Sequence, residues 1–196
     1  MVMVTEMQLD LTILNLIHTN GTTAMTGDSE GVVDVPINNN ITLFTKNGNL
    51  DTSSASAVTM TGWSQANSQS NFGFQQVGTA WTESSGTFKT SRLGVYRVYL
   101  ECHIQTLTST GTRYIQLDIT YTPNGGSLIG GDIYSNTPYT GDITYDLHTR
   151  CKLYNITHVD DAITTRIGSV QNIRVRGADA NDFDTTLMFE WLAPPV

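Results

Sequence analysis

From Val95 onward the chain alternates strictly. Tyr96, Val98, Leu100, Cys102 and Ile104 share one face, and Arg97, Tyr99, Glu101 and His103 share the other. A period of two marks a strand covered on one side. The pattern recurs downstream. Residues 112–122 set Ile115, Leu117, Ile119 and Tyr121 against Tyr114, Gln116, Asp118 and Thr120. Residues 142–157 predict Ile143, Tyr145, Leu147, Cys151 and Leu153 inward, with Asp146, His148, Arg150 and Lys152 outward. Two further strands follow at 170–177 and 185–193, the last burying Leu187, Phe189 and Trp191. Before Phe72 the signals are shorter. Residues 9–19 read as a strand or extended arm, 38–50 as a short strand running into the tight-turn signal Asn47-Gly48, and 56–64 alternate again. Turn-rich clusters separate these runs, and no helical period lies between them. The expectation is an all-β chain, a single jelly-roll β-sandwich with an extended N-terminal segment. Residues 57–196 would form the jelly roll. Residues 1–56 would form an N-terminal arm, part of the same domain or an anchoring segment.

Composition narrows the partners. The 196-residue chain carries 10 Lys and Arg against 18 Asp and Glu, a formal charge of -8. Lys46 is the sole basic residue before Lys89. Nucleic acid and anionic membranes attract clustered cations, so neither is an expected partner. The first charges, Glu6 and Asp10, are acidic and interrupt the apolar start, which is not the pattern of a signal peptide. No run is long enough to span a bilayer as a helix. The chain is therefore expected to be made and folded in a cytosol, and the sequons at Asn20, Asn40 and Asn155 to be chance matches. Cys102 and Cys151 both fall on predicted apolar faces, as two buried thiols or as one bridge between paired strands.

Between residues 86 and 98 the spacing is more specific: Gly86, Phe88, Gly94, Tyr96 and Val98. This Gly-x-Phe, five residues, Gly-x-Tyr-x-aliphatic order resembles the signature of the complement component one subcomponent q globular head and the related tumour necrosis factor fold. The stretch 182–192, with Phe183 and Leu187, is similar to that family's last strand. The resemblance covers about 110 residues and implies a ten-stranded jelly roll packed as a trimer, with aromatic and aliphatic side chains near the threefold axis. Gly94 would allow a close approach where the chain enters its central strand, and Tyr96 would bury its ring while its hydroxyl found a partner. No collagen-like stalk precedes the motif and no secretory signal is recognised, so secreted signalling ligands fit poorly.

Candidate chemistry is sparse. His103 and His148 would both face outward beside Glu101 and Asp146, a metal or pH-sensing cluster if their strands are neighbours and ordinary polar surface otherwise. Asp160-Asp161 and the loop 178–184 would be solvated turns, with a loop-bound calcium ion as the alternative. No nucleophile elbow or phosphate cradle is present. Two outward aromatics, Tyr99 and Tyr114, with Arg97 beside them, predict a subunit contact. Gly86, Phe88, Gly94, Tyr96, Phe189 and Trp191 would build the structural motif and core. The resulting expectation is a non-enzymatic viral structural protein: a capsid, decoration or spike-head subunit residing in the virion. It would form a homotrimer, with a pentamer as the alternative, and contact other capsid or fibre proteins. The rival readings are a fibre head binding a host receptor or glycan, and a jelly-roll enzyme acting on glycans. No cofactor is expected beyond the calcium alternative.

Overall fold

The computed structural model describes residues 14–17, 23–27, 33–34, 41–66, 80–107, 110–130, 133–140, 145–177 and 185–196. It describes the side chains of 41–66, 80–107, 115–130, 146–177 and 185–196. The chain divides into two units, Met1–Asn39 and Asn40–Val196. The first holds an antiparallel sheet of β1 (Leu14–Ile17), β2 (Thr23–Gly27) and β3 (Val33–Asp34), in that order.

The second unit holds two antiparallel sheets, and no described residue is helical. The larger sheet runs β5 (Leu50–Thr52), β15 (Ile173–Val175), β10 (Gly94–Thr106), β16 (Thr186–Ala193), β4 (Ile41–Lys46) and β7 (Trp63–Ala66). Strand β13 (Tyr145–Ile156) takes the other edge of β10, from Gly94↔Ile156 to Gln105↔Tyr145. The smaller sheet runs β12 (Ile133–Thr140), β11 (Thr110–Thr122), β14 (Ala162–Ser169), β9 (Thr87–Thr90) and β8 (Trp81–Ser84), with β6 (Val58–Thr59) beside β14.

Strands β16 and β15 lie end to end along β10, the first opposite Val95–Glu101 and the second opposite Ile104–Thr106. Strands β4 and β5 repeat this arrangement against β16 and β15. Asn47-Gly48 therefore does not reverse the chain. It breaks a strand that runs on in the same direction. Residues 41–52, expected within the N-terminal arm, thus belong to the larger sheet. Their alternation is blurred because Thr42, Leu43 and Phe44 are all buried, so both faces of β4 are covered.

The core between the sheets is aromatic. Phe88 is fully buried, with ring centroids 4.9 Å from Phe44, 5.4 Å from Phe189 and 5.8 Å from Trp63. Trp81 stacks on Phe189 at 4.0 Å and meets Tyr96 edge-on at 5.0 Å. Each such pair contributes about 0.5–1.5 kcal/mol beyond its buried area. Tyr96 donates its hydroxyl to the Arg92 carbonyl at 2.7 Å, so its ring is buried without an unpaired oxygen.

The two motif glycines have separate reasons. Ser85 and Gly86 form the two-residue turn between β8 and β9 with φ of 52° and 82°, the backbone twist that a tight hairpin favours. A Cβ on Gly86 would also lie 2.6 Å from the Met60 carbonyl. A Cβ on Gly94 would lie 2.1 Å from Trp191 Nε1. Trp191, expected in the core, is half-buried at its margin. There its indole N–H donates to the Leu93 carbonyl at 3.2 Å, and the Arg92 guanidinium sits 3.7 Å above its ring.

Candidate functional site

The outer face of the larger sheet carries Arg97 and Tyr99, two of the three residues singled out for contact, and strand β13 decides its character. Its phase is the reverse of that expected. Leu147 and Leu153 are 55% and 65% exposed, and Cys151 is exposed between them. The polar residues of β13 turn inward instead. Arg150 Nε donates to the Leu117 carbonyl at 3.1 Å, Lys152 Nζ to the Ile119 carbonyl at 2.7 Å, and the Tyr154 hydroxyl to the same carbonyl at 2.6 Å.

The physical reason lies in β11. Its pairing with β12 ends at Leu117↔Ile133, so its next residues present carbonyls along an edge facing β13. Buried carbonyls need donors, and long cationic side chains supply them better than leucine. Lys152 also pairs with Asp118, which is 1% exposed although the alternation set it on an outer face. That face is covered: a Cβ on Gly130 would lie 2.7 Å from Thr120 Cγ2 and 2.9 Å from Asp118 Oδ2.

The inversion separates the two histidines and the two cysteines. Cys102 faces His148 across the β10–β13 ladder, whereas His103 faces Leu147. His103 and His148 therefore lie on opposite faces of the sheet although their strands are neighbours. His103 Nε2 approaches Glu101 Oε1 at 3.2 Å instead. Among the described residues no group of three or more His, Cys, Asp or Glu is placed to hold a metal. Cys151 faces Tyr99, three positions from Cys102 and on the opposite face, so no bridge forms. Burial pushes the Cys102 thiol up to about 12.

Around β13 the outer face is completed by β10 and β16. Tyr99 lies between Cys151 and Met188, half-buried, and its phenol is raised by burial and by the Glu101 charge. Arg97 lies opposite Leu153 and Glu190, with its Nε 2.7 Å from Glu190 Oε2. Leu192 is 41% exposed at the end of β16. Tyr114 lies elsewhere, in β11 opposite Asn136, and its side chain falls outside the described residues. Among the described residues, Arg97, Arg174 and Arg176 stand on or beside this face with Asp51, Glu101 and Glu190. Leu147, Leu153, Leu192 and Met188 were legible as apolar residues of strands. Which way they faced was not.

A second feature lies at one end of the sandwich. Asp161 is 1% exposed, and its carboxylate accepts from the backbone N–H groups of Asn124 (2.8 Å), Thr157 (2.8 Å) and His158 (3.0 Å) and from the Tyr121 hydroxyl (3.0 Å). Burial alone would push this carboxyl up. The four donors outweigh it and hold the group below the ordinary carboxylate value. Asp161 thus ties the turn after β13 to the loop after β11. Asp160 pairs with Lys89 at 3.1 Å, and the acidic loop 178–184 lies outside the described residues. The tied loops expose Leu128, Ile129 and Val159.

No family model matches the chain, and no curated protein matches it. Solved structures do. A crystal structure of murine APRIL at pH 8.5 is 13% identical over 78% of this chain and 98% of that one, with a TM-score of 0.50. A structure of Eiger TNF from S. frugiperda is 13% identical over 80% of this chain and 94% of that one, with a TM-score of 0.47. The likeness to the murine protein shows the fold, a jelly-roll sandwich of the tumour necrosis factor type.

Proposed function

We propose that the chain is a non-enzymatic structural subunit of a virus particle that assembles as a homotrimer through the outer face of its larger sheet. One observation carries this reading: β13 turns Leu147, Cys151 and Leu153 to solvent and its cations inward. Exposed leucines on a sheet face gain about 25 cal/mol for each Å² of apolar surface that a partner removes from water. The mixed charge of the face supports a partner of the same sequence. Two copies of a net acidic protein repel elsewhere, but less where, among the described residues, Arg97, Arg174 and Arg176 stand beside Asp51, Glu101 and Glu190. Among the described residues of the smaller sheet, Gln116, Asp118 and Thr120 on the outer side are already buried. The acidic, Lys-poor composition fits contact with neighbouring proteins and not with packaged genome.

Light scattering coupled to size exclusion tests the assembly. The wild-type chain should elute as three copies, and Leu147→Glu with Leu153→Glu should give a folded monomer. A wild-type monomer at high concentration overturns the reading, and five copies would replace the trimer by a pentamer. Electron microscopy of the source particle tests the virion assignment. A second reading, a head that binds a receptor or glycan through its loops, draws support from the end tied by Asp161, where Leu128, Ile129 and Val159 are exposed. A glycan array, with Ile129→Asp as the control, tests it.

A further inference from the structure

The break between β4 and β5 places an Asn-Gly pair beside a buried cation. Lys46 is 3% exposed, and its Nζ donates to the Asn47 carbonyl at 3.2 Å and to the Gly48 carbonyl at 3.1 Å. Asn47 itself is exposed, and its Nδ2 donates to Ser64 Oγ. Gly48 has φ +59° and no atom near the place a Cβ would take.

An asparagine followed by glycine is the dipeptide most prone to cyclise, because no side chain hinders attack by the following nitrogen. The slow requirement is loss of the proton from that peptide nitrogen. A charge-assisted hydrogen bond to the carbonyl of the same peptide stabilises the resulting anion. Lys46 makes that bond to the Asn47–Gly48 peptide. We propose that Asn47 is a site of self-promoted deamidation, with Lys46 activating the Gly48 nitrogen. The Gly48 nitrogen bonds to the Asn47 side-chain carbon, and the bond from that carbon to Nδ2 breaks. Ammonia leaves carrying the proton that Gly48 gives up. Water then opens the ring to aspartate or isoaspartate. The new carboxylate stands next to Lys46, whose charge it can pair.

The molecule contains its own control. Asn124-Gly125 is a second exposed Asn-Gly pair, also with an open glycine at φ +68°, and among the described residues no cation bonds the Asn124 carbonyl. The full chain is held near neutral pH at physiological temperature, digested, and both peptides are followed by mass spectrometry for the one-dalton gain. Asn47 should react about tenfold faster than Asn124 in the folded protein, the ratio expected from one charge-assisted hydrogen bond. In concentrated urea the two rates should converge, because the Lys46 contact is then gone. Lys46→Met should slow Asn47 alone. Where that variant fails to fold, the folded-to-urea ratio of the wild type decides. Equal rates in the folded chain, or a preference for Asn47 that survives in urea, overturn the proposal.

Discussion

Trp191 closes over Gly94 so tightly that residue 94 has no room for a methyl group, with the indole nitrogen 2.1 Å from the place a Cβ would occupy. Gly94→Ala should cost about 1–3 kcal/mol of stability, the usual range for overpacking. Urea unfolding measures it. Combining the change with Trp191→Ala should give a loss smaller than the sum of the two, since the indole clash is then gone and only that with the Ala193 carbonyl at 2.5 Å remains.

The Asp161 clamp predicts an acid limit. A carboxyl held below its ordinary value of 3.8 stabilises the fold above that value and loses the contribution as pH falls through the folded value. Wild-type stability should therefore drop below about pH 4, where ordinary carboxyls begin to protonate. Asp161→Asn should be less stable near neutral pH by about 1–3 kcal/mol, and its further loss in acid should be smaller. Chemical denaturation across the pH range tests both.

Removing the cation from the β11–β13 seam should be costly. Lys152→Met leaves Asp118, 1% exposed, without its ion pair, and a stranded buried charge costs about 3–5 kcal/mol. Lys152→Met with Asp118→Asn should recover part of that loss. Thermal unfolding of the three variants against wild type reads the order.

The two cysteines should report assembly. Cys102 is buried with its thiol pushed up to about 12, so maleimide should not reach it in the folded chain at any concentration. Cys151 should label readily in dilute protein and be protected in the trimer. Labelling of Cys151 that is equally fast at both concentrations would count against its place in the contact.

The Gly86, Phe88, Gly94, Tyr96 spacing was legible because each glycine answers a steric demand that no other residue meets. The inner face of β10 was legible because a long strand at the centre of a sheet shows its period undisturbed. Strand β13 alternates as clearly, yet alternation states only that two faces differ. Which face turns inward was set by the carbonyls of Leu117 and Ile119, contributed by a strand 33 residues or more away in sequence. Strand β4 was legible as a short strand, but its place in the larger sheet was not, because Leu43, on the outer side, is as buried as Phe44 and the alternation is lost. The outer face proposed for contact depended on the first of these ambiguities, so its leucines could be named but not placed.

Arg150, Lys152 and Tyr154 give the sandwich one flank made of side chains in place of a ladder. The separation of the layers on that flank follows from how far those three residues reach. Shorter residues there would let the layers draw together, and every backbone pairing within them could stay as it is. The spacing of the two sheets on that flank is thus adjustable one substitution at a time.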